Sequence, residues 1–373
     1  MYQLTEVFPL ENSKDRKQFV SVPYELYATD SNFAAQPRLS YTNLLKKSHP
    51  FFNTAKGRFW LLRSQQKIVG RIAGFINQEH NTKHNENVLF FGFFDCIDDP
   101  KASELLFNAV KEYANSIEAK CIRGPVNPST NYEAACLIDG FDDPPQIMMT
   151  YNAPYYQNLI EGNGYEKSMD FYAFKRDPRP ALPPQIEAIA KRAEEAHGIT
   201  YRNISKKTWN VDLQIMRELY NKAWENNWGF VPMTPEEFDE TAKELKGIVD
   251  EDLIIFVYAK GKPIGFGVGL PDYNQALIKL KKGRLTPIGI WHLLRAKKYM
   301  NRFRIITLGV LPEFRKHGIG ALLYRKFHEA AKRKGFIETE CSWILEVNQD
   351  MIKPLEKMGM DRYKTYRIYE QTI

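Results

Sequence analysis

The chain has 373 residues, 43% hydrophobic and 13% aromatic, which exceeds the usual single domain and supplies apolar material for two buried cores. Its 52 Lys and Arg against 45 Asp and Glu leave a net charge of +7 spread along the chain, so no nucleic-acid partner is expected and a mild preference for anionic ligands is. The four cysteines form no CxxC pair, MYQLTEVFPLENSKDRK has no apolar core, and the longest apolar run, VLFFGFF, is far below a spanning length; a cytoplasmic protein with reduced thiols and no membrane partner is expected.

In chain order, YQLTEV reads as a strand, followed by a helix, the aromatic loop YATDSNFAAQP and the β-hairpin LLRSQQKIVGRIAGF. His80 and His84 then stand four apart, a chelating spacing on a helix. NTKHNEN, however, has hairpin-loop composition, with no Cys or further His near, so no metal is expected. The β-rich LFFGFFD and the helical ASELLFNAVKEYANS precede an insertion rich in Pro, Asn and Tyr, GPVNPSTNYEAACLIDGFDDPPQIMMTYNAPYY, which is expected to shape or cap a site in the second half. KRDPRPALPPQ, Lys175 to Gln185, concentrates four prolines where regular structure is difficult, because proline lacks a donor and restricts its predecessor. It is the expected linker between domains spanning residues 1–177 and 178–373.

After the linker, IEAIAKRAEEAHG is amphipathic with charges of alternating sign and reads as a helix docked between the domains. The strand ITYRNI, a helix and the aromatic loop WENNWGFVP follow. Next comes the hairpin LIIFVYAKGKPIGFGVGL, with its tight turn expected at Gly261-Lys262. NQALIKLKKG and PIGIWHLLRAKKYM form an extra helical stretch before the strand FRIITLGV and the helix ALLYRKFHEAAKRKG.

The two halves share a register. One constant offset pairs Ala28 with Ala223, Asn32 with Asn227, Pro37 with Pro232, Gly70 with Gly265, Gly74 with Gly269 and Gly164 with Gly359, and lays Phe33 opposite Trp228. This is the signature of a tandem repeat. Between FRIITLGV and its helix lies LPEFRKHGIG; the first half, with Gly92 placed opposite Gly309, reads DDPKASELL there, with acids and no GxG.

Pro312 ends the strand, and from Gly318 the apolar positions Ile319, Leu322, Leu323, Phe327, Ala330 and Ala331 follow a helical period. A helix N-terminus presents N–H groups without internal partners and the positive end of the macrodipole, so Gly318 and Gly320 either permit a tight turn or admit a phosphate to the backbone. Arg315, Lys316 and His317 add charge beside it. A nucleotide P-loop would need Lys-Ser/Thr after its last Gly, where this chain has Ala321 and Leu322, and a dinucleotide fingerprint needs a third Gly.

LGVLPEFRKHGIGALL closely resembles the pyrophosphate-binding segment of the GNAT acyl-CoA N-acyltransferases, and WILEVNQDMIKPLEKMGM resembles the next motif of that superfamily. The resemblance covers the second half from about Ile199 to the end, whereas the first half resembles only the hairpin and terminal Gly of the fold. It implies an α/β (α+β) class with two tandem GNAT-like domains, each a mixed, mostly antiparallel sheet flanked by helices, the first degenerate and unable to bind CoA. It also implies acetyl-CoA or another acyl-CoA as donor and a small-molecule or peptide amine as acceptor.

By that resemblance, Arg315, Lys316, His317, Gly318, Ile319, Gly320 and Ala321 would hold the CoA diphosphate, Leu308 and Val310 the pantetheine, and Asn348 the cofactor arm. Val310 would donate its N–H to the thioester oxygen, and Glu346, two residues closer to the helix than the Glu that serves as base in some members, is either that base or a solvated strand-end carboxylate. Asn227, Trp228, Phe230 and Tyr273 would line the acceptor groove, with Trp224 left to packing. One position departs from the pattern: counting back from Gly359, the tyrosine that many members use as general acid is Leu355. A thiolate of ordinary pKa, about 8.5, can leave without it. A catalytically silent acyl-CoA-binding or scaffold protein and an aminoacyl-tRNA-dependent transferase of related tandem fold remain the rival readings.

Overall fold

The computed structural model describes residues 1–196, 198–280 and 283–373; the helical readings of IEAIAKRAEEAHG and NQALIKLKKG therefore touch His197, Lys281 and Lys282, which lie outside the described residues. Packing gathers the chain into two compact units. Unit 1 is Met1–Phe171, Asn274–Arg295 and Lys364–Ile373; unit 2 is Tyr172–Tyr273 and Ala296–Tyr363.

Unit 1 begins with β1 (Tyr2–Val7), α1 (Ser13–Leu26), α2 (Arg38–Leu44), β2 (Ala55–Ser64), β3 (Lys67–Asn77), α3 (Gln78–His84), β4 (Val88–Cys96) and α4 (Pro100–Ser116). It continues with β5 (Cys121–Gly124), β6 (Val126–Asn127), β7 (Glu133–Ala134), β8 (Cys136–Asp139), α5 (Tyr156–Gly162) and β9 (Glu166–Arg176), the last running on into unit 2. Unit 2 then has α6 (Pro184–Ala196), β10 (Ile199–Asn203), α7 (Trp209–Trp224), α8 (Pro235–Leu245), β11 (Ile254–Ala259) and β12 (Lys262–Pro271). The helices α9 (Asn274–Leu277) and α10 (Pro287–Arg295) belong to unit 1. The chain closes with β13 (Arg302–Val310), α11 (Ile319–Lys334), β14 (Glu338–Leu345), α12 (Gln349–Lys357) and β15 (Asp361–Thr372), which ends in unit 1.

The strand order is β1-β2-β3-β4-β5-β15 in unit 1, with β8 also beside β15, and β10-β11-β12-β13-β14-β9 in unit 2. In each, one central pair is parallel, β4 with β5 and β13 with β14, whereas the hairpin strands are antiparallel. Each sheet is therefore mixed, mostly antiparallel and flanked by helices. The fifth strand of each half is completed by the other half's last strand: β15 lies antiparallel to β5, from Tyr369 opposite Gly124 to Thr372 opposite Cys121, and β9 lies beside β14. The chain passes between the units at Phe171–Tyr172, Tyr273–Asn274, Arg295–Ala296 and Tyr363–Lys364.

Local signals account for the elements. Asn12 and Asp99 accept from first-turn N–H groups of α1 and α4, Thr234 and Glu237 form a capping box on α8, and Gly335 ends α11 in the left-handed region. The hairpin of unit 2 turns at Lys260–Gly261, one residue before the expected place, because both residues have positive φ and Ala259 pairs with Lys262. The segment expected to be a hairpin loop around His80 is instead the helix α3, started by the Asn77 side chain and closed by left-handed Asn85. His80 is buried there, bonded to Glu86 at 3.0 Å, and burial lowers its pKa to about 4.

In unit 2, Ile319, Leu322, Leu323, Phe327, Ala330 and Ala331 of α11 are all buried against the sheet, as their spacing requires, each large side chain contributing roughly 1.5–3 kcal/mol. The opposite face carries Met216 and Leu219 of α7 and Phe238 of α8 over Phe256, Phe266 and Val268. Helix α6 packs within unit 2 on α11: Arg325 bonds Glu187 at 3.2 Å and also Glu194. In unit 1, Leu106, Phe107, Val110 and Ala114 of α4 cover Leu62, Ile72, Leu89 and Phe91.

Candidate active site

The site is built where two parallel strands part. β13 and β14 are paired from Arg302–Glu338 to Ile305–Cys341 and no further, although both run on, to Val310 and Leu345. Just before the fork, buried Arg304 bonds Ser342 at 2.5 Å and faces Glu340 at 3.4 Å, and Tyr363 donates to Glu340. This clamp holds the strands together at the last turn at which they touch. Sequence reasoning missed it, since a charged residue inside FRIITLGV carries no sign of its partner.

Beyond the fork, the β12–β13 register shifts at Val268/Gly269, leaving Ile306 as the extra residue of a bulge. Leu311 donates to Ile264 at 2.9 Å, so by the alternation of an antiparallel ladder Leu311, Gly309 and Thr307 turn their main chain toward β12. Leu308 and Val310 turn theirs the other way, into the gap. The Val310 carbonyl accepts from Arg315 Nε at 3.3 Å, and its N–H has no bond among the described residues. Gly309 has to be glycine: a Cβ there would lie 2.4 Å from the Trp224 ring, so Trp224 is packing, as expected.

Past Val310 the chain makes a 3-10 turn over Pro312–His317, passes Gly318 at φ +78° and enters α11 with no side-chain cap. The N–H groups of Ile319, Gly320 and Ala321 lack intrahelical partners and, among the described residues, donate to no other element. A Cβ on Gly320 would meet nothing within 4 Å, so the backbone is open there, whereas Gly318 lies against Ile189 and Ala193 of α6. The Ile319 side chain is in the core, half-buried Ala321 follows it, and Lys316 and His317 are exposed at the rim. The Arg315 side chain has protein partners of its own. Its guanidinium folds back onto the Ala223 and Val310 carbonyls, at 2.6 and 3.3 Å, and ties the end of α7 to the strand end.

Counted along the chain, Val310 and Glu346 each stand five residues beyond the last β13–β14 pair. Asn348 occupies the N-cap position of α12 without capping it, and no bond of its side-chain amide is present among the described residues. Leu355 is fully buried in the core, so no phenol stands there. Of the expected acceptor residues, Asn227 and Trp228 are half-buried on the loop after α7, while Phe230 is buried against Tyr220 and Tyr273 is buried after β12, where burial raises its pKa. The latter two face packing more than an open groove.

Unit 1 has the same frame, closed. Gly70 pairs with Cys96 as Gly265 pairs with Val310, and Ile97 donates to Val69 at 3.0 Å as Leu311 does to Ile264. The counterpart of Val310 is therefore Cys96, and that of Gly309 is Asp95; the placing of Gly92 opposite Gly309 is corrected by the register. The Cys96 N–H is bonded to Tyr156 Oη at 3.1 Å and its carbonyl to Tyr155 Oη at 2.8 Å. Where the gap would open, β6 lies along β4, with Phe93 N–H bonded to Asn127 at 2.5 Å and no room for a Cβ on Gly92 beside the Val126 carbonyl. Helix α4 is capped by the Asp99 carboxylate, which accepts from Lys101 and Ala102. An Asp-Pro before a helix is a legible capping signal; the plugs from Asn127 and Tyr156 are not.

The chain matches the model of the Acetyltransferase (GNAT) family over residues 213–360. It is 33% identical to Protein YghO of Escherichia coli over 97% of this chain and 94% of that protein. It is 32% identical to the Bacterial ceramide synthase of Caulobacter vibrioides over 98% and 97%. A tandem GNAT protein from the clavulanic acid biosynthesis pathway superposes with a TM-score of 0.57 at 11% identity, covering 100% of this chain and 98% of that one, which shows a shared fold. The forked strands, the uncapped helix and these matches agree: the chain belongs to the GNAT acetyltransferase superfamily, in its tandem two-domain architecture.

Proposed function

We propose that the protein is an N-acyltransferase that moves a fatty acyl group from CoA to the amine of a long-chain amino alcohol, using unit 2 alone for CoA. The observation that carries this reading is two sets of main-chain donors with no partner among the described residues, Val310 in the fork and Ile319, Gly320 and Ala321 at the helix N-terminus. A diphosphate suits the helix end, and a pantetheine suits the gap, where it would pair with Leu308 and Val310 as a strand does. Lys316 and His317 would add screened positive charge at the rim, and Asn348 an amide to the arm.

In the reaction, the amine nitrogen forms a bond to the thioester carbon, the carbonyl oxygen takes negative charge, the C–S bond then breaks and thiolate leaves with its electron pair. Val310 N–H would meet the oxyanion, a preorganised donor of the kind that usually supplies the largest catalytic contribution. Glu346 would accept the proton the nitrogen loses. With Leu355 buried and apolar, the thiolate leaves unprotonated and is neutralised by solvent. Asn227 and Trp228 would border the acceptor, with Phe230 and Tyr273 behind them.

The acceptor class rests on the relative named as a ceramide synthase, because a ceramide is the fatty amide of a long-chain amino alcohol. The donor then has a long chain, and acetyl-CoA becomes the comparison. Four free cysteines suit a reducing, cytoplasmic setting. Buried Leu355 favours one rival, an acyl-CoA-binding protein without turnover. Thiol release and amide mass would be followed with acetyl-, octanoyl- and palmitoyl-CoA against sphinganine and small polar amines. Release with palmitoyl-CoA and sphinganine supports the proposal; release only with acetyl-CoA and polar amines overturns the lipid assignment, and tight binding without release establishes the silent binder.

A further inference from the structure

Five large hydrophobic side chains lie exposed within ten residues of unit 1: Leu285, Ile288, Ile290, Trp291 and Leu294. The other exposed ones among the described residues are scattered, as is ordinary for a soluble surface. Ile288, Trp291 and Leu294 are 72%, 51% and 79% exposed and recur at every third position of α10, which places them on one face. The other face is the inner one: Gly289 is buried, and a Cβ on it would lie 2.6 Å from Leu280, so glycine lets the helix sit close on the segment after α9. The outward face is therefore not a core stripe with its sign reversed.

The charge around this face is of one kind. From Asn274 to Asn301 the chain carries Lys279, Lys281, Lys282, Arg284, Arg295, Lys297 and Lys298 and no Asp or Glu. In unit 1, Lys279, Arg284 and Arg295 are exposed, and the Arg295 guanidinium lies 4.7 Å over the Trp291 ring, a cation stacked on the aromatic it flanks. A short helix with aliphatic and Trp side chains on one face and basic residues about it matches the interface of an anionic bilayer, where acyl chains take the apolar face and headgroups the cations. A second copy is a poorer partner, because a two-fold contact would set this basic stretch against itself.

We infer that α10 and the residues before it form a membrane-surface anchor for bilayers rich in anionic lipid. The expectation of no membrane partner rested on the lack of a spanning segment, and no helix among the described residues is long and apolar enough to cross a membrane; docking on the surface needs none. The inference stands apart from the acceptor assignment, since it is read by binding and not by turnover.

The test is flotation of the full chain with vesicles of phosphatidylcholine alone or mixed with phosphatidylglycerol. The protein floats with the mixed vesicles, less so at raised salt, and stays below with the neutral ones. Ile288→Asp/Leu294→Asp lowers the bound fraction at least about tenfold, and Arg284→Glu/Arg295→Glu removes the preference for anionic lipid. Because all four positions are exposed, circular dichroism should match the parent. With the mixed vesicles, Trp emission shifts to shorter wavelength in the parent and not in Trp291→Phe. Absence of flotation, equal binding to both vesicles, or unaltered binding by the aspartate variant overturns the inference. So does sedimentation showing a dimer that the aspartate substitutions convert to monomer.

Discussion

The strand ends at Val310 and at Cys96 occupy the same place in two copies of one frame and have opposite fates. At Val310 the neighbouring strand has departed, the N–H has no partner among the described residues and the next helix begins after a glycine. At Cys96 the hydroxyls of Tyr155 and Tyr156 take both main-chain groups, β6 fills the space beside β4 and a carboxylate caps the helix. Neither difference changes the fold. Backbone donors are obligatory partners of something, and a strand end that satisfies them internally has none left for a ligand, while one that leaves them open can receive one. Even the central cross-strand contact is exchanged: Arg71 and Asp95 pair at 2.7 Å in unit 1, where unit 2 has Phe266 and Gly309 beneath Trp224.

Four changes would break or sharpen this contrast. The largest is Arg304→Ala, which strands Glu340 without its cation and should cost about 3–5 kcal/mol in urea unfolding, with unit 2 losing structure first by hydrogen exchange. Next, Val310→Pro deletes the donor proposed for the thioester oxygen and should lower kcat about 10²–10³-fold with CoA affinity nearly kept. Tyr156→Phe strips the partner from the Cys96 N–H and should cost about 1–3 kcal/mol in the same unfolding assay, without creating a second CoA site, because β6 still fills the space. The smallest is Asn348→Ala, which should weaken CoA binding by about 1 kcal/mol in a direct titration and leave kcat alone.

What could be read from the residues was local. The glycines and helical period after Val310 and the hairpins are written in neighbouring positions and the tandem repeat in a constant offset; the structure has all three, with the second hairpin's turn one residue earlier and Asp95 in place of Gly92 as the counterpart of Gly309. The exchange of β9 and β15 was not legible, because main-chain pairing is nearly indifferent to side chains and the two halves keep the same spacing up to Gly164 and Gly359. Nor were the Arg304–Glu340 clamp and the Tyr156 plug, which join residues distant in sequence. The helix around His80 was hidden by composition: Asn and His look like a loop until Asn77 is recognised as a cap and Asn85 as a left-handed stop. The Arg315 charge was plain in the sequence, whereas the bond by which its guanidinium ties α7 to β13 was not.

The account rests on a CoA site present once in the chain. Calorimetric titration with CoA tests it most directly, comparing the parent with Gly320→Glu, which places a carboxylate at the open helix end where the backbone has room for a side chain. The account predicts one CoA per chain for the parent and affinity at least about a hundredfold weaker for the variant. Two CoA per chain, or one bound equally well after Gly320→Glu, would contradict it.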